Sequence, residues 1–217
     1  MTSPTRRTVL KTFGMTIGTT CASISLPVSA QLFASDESKQ PIRLGVIADL
    51  HGGLAVDAEM RLDAFLKAMK GIETDALVQL GDFAFPNPKH QAFADKFNSA
   101  HENRVHVIGN HEFDYNLSRE DCYRAWGIKS AYYRRDLGNL RLIVLDGNEI
   151  GSPTQKGYPS FIGNQQKVWL QEELKRADRP VLILSHQPLA GTGAIQNSVE
   201  IQELLTRHQH KILLCIN

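Results

Sequence analysis

Four short stretches of this chain place metal-seeking side chains directly after apolar runs. They are Asp49-Leu50-His51 after "IRLGVIA", Gly81-Asp82 after "DALVQL", Gly109-Asn110-His111-Glu112 after "RVHVI", and Ser185-His186-Gln187-Pro188 after "RPVLIL". Carboxylate oxygen, imidazole nitrogen and amide oxygen together form a ligand set for Mn, Fe or Zn rather than a copper–thiolate set. A carboxylate can also bridge two cations with its two oxygens. Two cations roughly 3.5–4 Å apart can clamp a phosphoryl group and activate water for an in-line attack. Taken singly, an Asp at a strand end is more often a turn or helix cap than a ligand, and His51 alone would be unremarkable. Four such endings in one chain form a set that chance does not readily assemble. The glycines that precede Asp82 and Asn110 permit sharp turns and a close backbone approach.

The elements that must position these residues follow from periodicity. "IRLGVIADL", "DALVQLGD" and "RVHVIGNHE" read as strands, with helices in "DAEMRLDAFLKAMKG" and "PKHQAFADKFNSAHE" between them. In the first helix Met60, Ala64, Phe65, Ala68 and Met69 are expected to share the inward face, and Gly71 to close it. Strands alternating with helices predict right-handed crossovers and a largely parallel sheet. Ligands of such a sheet collect at the carboxyl ends of its strands. The second half changes style. "SAYYRRDLGNLRLIVLDGN" predicts an antiparallel hairpin turning at Gly138 and Asn139. A helix follows in "QQKVWLQEELKRA", with Val168, Leu170 and Leu174 among its apolar positions. Then come a strand in "RPVLILSHQP", a helix in "SVEIQELLTRH" and a terminal strand in "HKILLCIN". That last apolar run reads as a buried strand with Cys215 as a core residue. A second sheet stacked on the first is expected, giving an α/β fold.

Composition narrows the class. The chain has 217 residues, 22% charged and 42% hydrophobic, with a net charge of +1; this suits one soluble domain with a tail. The near-neutral balance gives no electrostatic case for nucleic acid or an anionic membrane. No apolar run reaches the roughly 20 residues that a spanning helix needs. The first thirty residues hold Arg6, Arg7 and Lys11 and no acidic residue. A weakly apolar stretch over 13–26 and the small residues Val28 and Ala30 in "LPVSA" complete the layout of a removable export signal. Its start, "TRRTVLK", resembles the twin-arginine signal at Thr5, Arg6, Arg7, Leu10 and Lys11, with Val9 where Phe is usual. The expectation is a signal peptide over 1–30, a polar linker over 31–40 and a single domain over 41–217. Such a chain would meet the twin-arginine translocation machinery and end in the periplasm or outside the cell. Beyond the signal, Cys122 and Cys215 do not make a disulfide framework.

At "DLH", "GD", "GNHE" and "SHQP" the chain resembles the calcineurin-like metallophosphoesterases, from about residue 42 onward. The resemblance implies a four-layer α/β/β/α sandwich with a dimetal site at one edge. It implies two divalent ions (Mn, Fe or Zn) and hydrolysis of a small phosphate mono- or diester through a metal-bridging hydroxide. It implies Asp49 and His51 on the first metal, Asp82 bridging, and Asn110 and His186 on the second. Asn110 and His111 would hold the phosphate, and His111 would protonate the leaving group.

Four departures qualify the resemblance. The family's closing Gly-His-x-His motif is not in the sequence, although "KILLCIN" resembles the strand that precedes it. The expectation is a domain incomplete at its C-terminus, the alternative being an inactive or weakly metal-binding fragment without the final two His ligands. His208 and His210 have the right spacing but precede that strand, so they read as solvated residues at its entry. Protein phosphatases of the family carry an Asp and then an Arg where Phe85 and Pro86 stand, and purple acid phosphatases carry a Tyr at position 85. Both subfamilies are disfavoured, and His111 lacks its usual acidic partner. "FIGNQQKVWLQEEL" resembles a segment of phosphodiesterase and nucleotide-diphosphatase relatives. Asp114 and Tyr115 lie where they could touch substrate but are expected rather to cap and pack the next helix, and Asp146 to serve a turn.

Overall fold

The computed structural model describes residues 41–152 and 156–217; the export signal expected over 1–30 and the linker expected over 31–40 lie outside the described residues. Among the described residues seven strands and five α-helices follow in the order β1 (Leu44–Ile47), α1 (Ala58–Lys70), β2 (Ala76–Gln79), α2 (Gln91–Ala100), β3 (Arg104–His106), α3 (Arg119–Trp126), β4 (Tyr133–Leu137), β5 (Leu140–Val144), α4 (Asn164–Arg176), β6 (Val181–Leu184), α5 (Ser198–Arg207) and β7 (Ile212–Ile216). β1, β2 and β3 form a parallel three-stranded sheet in that order. β4 to β7 form a second sheet in chain order, antiparallel at the β4–β5 hairpin and parallel from β5 to β7.

Three apolar clusters show how the layers stack. Leu77 of β2 faces outward onto Leu62 and Leu66 of α1, Phe97 of α2 and Trp126 of α3. Its neighbour Val78 faces the other way. With Leu80, Val105 and Val107 it meets Leu142, Val144, Leu182 and Leu184 of the second sheet. Ile143 and Ile183 point to that sheet's far face, where Leu170 and Leu174 of α4 and Ile201 and Leu204 of α5 cover them. The two-residue alternation of strand side chains thus builds an α/β/β/α sandwich. Inner strands are covered on both faces, which is why they read as continuous apolar runs.

Two sequence expectations need correction. In α1 the buried residues are Ala58, Leu62 and Leu66, with Phe65 and Met69 packed at the margin. Met60 is 67% exposed, and Ala64 and Ala68 are exposed too. The spacing 58, 62, 65, 66, 69 follows one helical face, and Met60 lies off it. The terminal strand is the second correction. Leu213 and Leu214 are 56% and 55% exposed, and Cys215 is exposed rather than a core residue. Among the described residues β7 pairs on one side only, with β6. Only its end residues Ile212 and Ile216 pack against the clusters.

Candidate metal centre

The four polar strand endings gather at one edge. Past the ends of β1 and β2 the parallel pairing continues into the loops: Asp49 N–H donates to Gly81 O (3.2 Å), His51 N–H to Asp82 O (2.7 Å) and Gly52 N–H to Phe83 O (2.8 Å). Residues 49, 51 and 82 therefore sit on neighbouring backbones. All three adopt left-handed conformations, with φ of 53°, 56° and 49°. Asp and His tolerate this region better than most residues, yet it is sparsely populated by non-glycine residues. Such strain collects where a surrounding structure over-determines the backbone. Part of that determination comes from Arg61 of α1, whose guanidinium donates to the carbonyls of Asp49 (3.1 Å) and Leu50 (2.6 Å).

Glu112 supplies more of it. Its buried carboxylate accepts the main-chain N–H groups of Asp82 (3.0 Å), Phe83 (2.7 Å) and Gly109 (2.7 Å). Burial, and next the charge of Asp82, push the Glu112 pKa up to about 7 against the opposing pull of the main-chain hydrogen bonds. Gly109 has to be glycine here: a Cβ would lie 2.3 Å from Asp82 N and from Asp82 Oδ1. Glu112 carried no role in the sequence reading. Its only signal there is the final letter of "GNHE".

Asp82 is the hub. Its Oδ1 accepts the His111 main-chain N–H at 2.9 Å. Its Oδ2 lies 3.3 Å from His186 Nε2 and 4.0 Å from His51 Nε2. His186 donates Nδ1–H to Leu80 O at 2.9 Å, and its Nε2 is 3.2 Å from Asn110 Oδ1. The main-chain bond orients the ring and leaves Nε2 facing the centre. Burial disfavours charge on both partners, but their mutual hydrogen bond and attraction outweigh it. Asp82 is held below the ordinary carboxylate range and His186 above the ordinary imidazole value.

Ligating atoms of Asp49, Asp82 and His186 lie within 4.8 Å of one another, and so do those of His51, Asp82 and His111. The structure thus brings together all six residues singled out in the sequence, including Asn110 through its contact with His186. It groups them differently from the resemblance, which pairs Asp49 with His51 and Asn110 with His186. The donor chemistry fits divalent cations. Two carboxylates converge with imidazoles, and buried His51 Nδ1 has no hydrogen-bond partner.

His111 corrects a further expectation. Its Nδ1 is 2.7 Å from Asp114 Oδ2, so the acidic partner that Phe85 cannot provide comes from three residues downstream. Asp114 does not cap α3: Ser118 does, in a capping box with Asp121. Tyr115 does not pack under that helix either. It is 78% exposed and edge-on to Phe85, with ring centroids 5.2 Å apart. Tyr158 also reaches His111, placing its hydroxyl 3.2 Å from Nδ1. It was missed because it lies 47 residues away, on the long connection after β5. Asp146 does shape a turn, accepting Asn148 N–H at 2.9 Å. His208 and His210 precede β7, which runs parallel to β6. They lie at the opposite edge from His186, which follows β6.

Comparisons with known proteins agree with this architecture. A family model described as calcineurin-like phosphoesterase matches residues 42–215. A dimetal phosphatase from Danio rerio superposes with a TM-score of 0.64 at 20% identity, over 81% of this chain and 81% of that one. A protein of Thermus thermophilus gives 0.57 at 16% identity, over 80% and 81%. A phosphopantetheinyl hydrolase from Mycobacterium tuberculosis gives 0.50 at 12% identity, over 80% of each chain. At these identities the likeness is one of fold. No curated protein matches by sequence.

Proposed function

Because the chain belongs to the calcineurin-like phosphoesterase family, we propose that it is a metal-dependent hydrolase of small phosphate mono- or diesters. The observation that supports this reading is Asp82, one buried carboxylate shared by two groups of three ligating side chains. By the family resemblance Asp49, His51 and Asp82 would hold one divalent cation and Asp82, Asn110 and His186 the other, while the donor atoms converge in this structure as Asp49–Asp82–His186 and His51–Asp82–His111. Two such cations, when bound, supply positive charge against the phosphoryl oxygens and make water a stronger nucleophile. The chain's own residues do the rest. Glu112 and Gly109 hold the Asp82 backbone in place. Asn110 and His111 face the phosphate, and His111 gives a proton to the departing oxygen from Nε2 while Asp114 engages Nδ1. The O/N donor set accommodates Mn, Fe or Zn.

Asp82→Asn tests this directly, because Asn also tolerates a left-handed backbone and so removes the charge without new strain. With excess Mn²⁺, the variant is expected to lose bound metal, measured by mass spectrometry, and to hydrolyse bis-(p-nitrophenyl) phosphate more than about 100-fold more slowly. A variant that keeps both would sink the assignment. Export through the twin-arginine machinery, to the periplasm or beyond, is a further proposal supported by Arg6, Arg7, Leu10, Lys11, Val28 and Ala30. An Arg6→Lys, Arg7→Lys double variant should stay in the cytoplasm; normal export would remove the proposal.

A further inference from the structure

Gln79, the last residue of β2, is fully buried. A buried amide is costly unless its polar atoms are paired, and both ends of this one are. Its Oε1 accepts the Gly81 N–H at 2.7 Å, and its Nε2 lies 3.3 Å from His106 Nδ1. His106 is buried as well, and burial pushes its pKa down to about 3, so the ring is neutral at working pH. A neutral imidazole has one donor and one acceptor. Nδ1 accepts from Gln79, so Nε2–H donates to Asn98 Oδ1 at 2.9 Å. Asn98 Nδ2 in turn donates to Trp126 O at 3.4 Å. Every donor in this series points away from Gly81, which fixes the Gln79 amide with its oxygen toward the turn. The His106 ring is held too: it stacks on Trp126 at 5.5 Å and stands edge-on to Phe97 at 5.4 Å between centroids. The Tyr133 hydroxyl engages its main-chain N–H and carbonyl, each at 2.9 Å.

The series ends on the turn that carries Asp82. The pairing of β2 with β3 closes at Gln79 and His106, and Gly81 leaves the sheet with a φ of 97°. Three successive N–H groups, those of Gly81, Asp82 and Phe83, are then held by side chains: the first by Gln79, the other two by Glu112. The turn has no slack. A Cβ on Gly81 would lie 2.7 Å from the His186 ring and 2.8 Å from Gly109 N. A shift of Gly81 therefore moves Asp82 relative to His186. We propose that Gln79, oriented by His106, is a positioning residue for the metal centre, fixing Gly81 so that the Asp82 carboxylate is in place before a cation arrives. The inference rests on the reading of Asp82 as the shared metal ligand. Outer partners of this kind raise affinity because the ligand need not be ordered at the moment of binding.

The test uses the full-length chain with Mn²⁺ alone as the probe, and affinity is counted per folded molecule. Gln79→Met keeps the side-chain length and removes the acceptor. His106→Phe keeps a ring against Trp126 and removes both nitrogens. Free Mn²⁺, followed by electron paramagnetic resonance, should show affinity lowered about tenfold in Gln79→Met and about threefold in His106→Phe. The double variant separates positioning from bulk stability. It replaces the amide–imidazole pair by two apolar groups, whereas each single change strands a polar partner. Its urea midpoint should therefore fall by less than the sum of the two single losses. Its Mn²⁺ affinity should stay about tenfold down, because the Gly81 N–H is still unheld. Affinity that recovers with the urea midpoint in the double variant, or wild-type affinity in either single variant, would overturn the inference. His106→Phe carries the same decision if Gln79→Met does not fold. A second readout needs no metal. Hydrogen exchange of the Gly81 N–H in the metal-free protein should be at least about tenfold faster in Gln79→Met and faster than wild type in His106→Phe; unchanged exchange in both would also overturn it. If the wild type binds no Mn²⁺, the reading of Asp82 fails, and exchange at Gly81 still decides whether Gln79 holds the turn.

Discussion

The two sheets bring polar residues to the same edge of the molecule and use them in opposite ways. Behind β5, Asp146 is 1% exposed and fully satisfied. Its Oδ2 accepts from Arg119 at 2.7 Å, and its Oδ1 accepts from the main chain and side chain of Asn148 at 2.9 and 2.8 Å. Its own N–H and carbonyl are matched by the Gln166 amide at 2.9 and 2.8 Å. Gln187 donates to Asn148 and so extends the network to the end of β6. Behind β1 and β2 the picture reverses. No side chain among the described residues hydrogen-bonds the Asp49 carboxylate, and His51 Nδ1 is buried without a partner. Asp49, His51 and Asp82 all sit on left-handed backbone. Around β5 the four-stranded sheet spends its polar residues on one another, while His186 after β6 crosses to the centre. The three-stranded sheet leaves valences open. An Asp after an apolar strand is thus open to an ion or spent as a strut according to whether the fold satisfies it, since a saturated buried polar group has nothing left to offer an ion.

That contrast can be broken experimentally. The largest expected effect on stability is Asp146→Ala, which strands the Arg119 guanidinium and unpairs Asn148. Unfolding by urea should show a loss of roughly 3 kcal/mol, while the metal bound per folded molecule stays at the wild-type level. Stability within error of wild type, or a selective loss of metal, would mean that Asp146 is not a strut.

Glu112→Gln should fall between the two classes. Glu112 belongs to the open sheet but is saturated by three N–H donors. An amide has one acceptor oxygen and adds donors facing donors. A stability loss of about 1–3 kcal/mol is expected, together with weaker metal binding as the Asp82 backbone shifts. Unchanged urea stability would show that the three contacts contribute little.

The smallest stability effect should be Asp49→Asn. Asn keeps the left-handed turn, and no hydrogen bond of the carboxylate is lost. Without added metal the change should stay within about 0.5 kcal/mol, yet titration with Mn²⁺ should show reduced affinity. A large destabilisation of the metal-free protein would place Asp49 among the struts and erase the contrast between the sheets.

Much of this was legible in the residues. The succession of strands and helices and the hairpin at Gly138 follow from periodicity, because apolar spacing states which face of an element must leave water. That six polar residues would gather at one edge was legible because the carboxyl ends of parallel strands share an edge by construction. The face of α1 was misread because Met60 and Leu62 are both apolar and only packing against the sheet separates them. Cys215 and Leu214 were misread because burial depends on what lies beside a strand, which an apolar run does not state.

The amino-acid sequence by itself determined the ligand types, the strands that carry them and the glycine before Asp82 that lets the chain turn. Covalent order and side-chain period are local properties. Tertiary structure alone decided which acids stay open, since folding saturates the Asp146 carboxylate with Arg119 and Asn148 and brings no such partner among the described residues to Asp49. It alone moved the acidic partner of His111 to Asp114 and brought in Tyr158, because a kinked backbone and a contact across 44 residues leave no periodic trace. It alone placed His186 against Asp82 from the other sheet, 104 residues away, where the stacking of two apolar faces sets the distance.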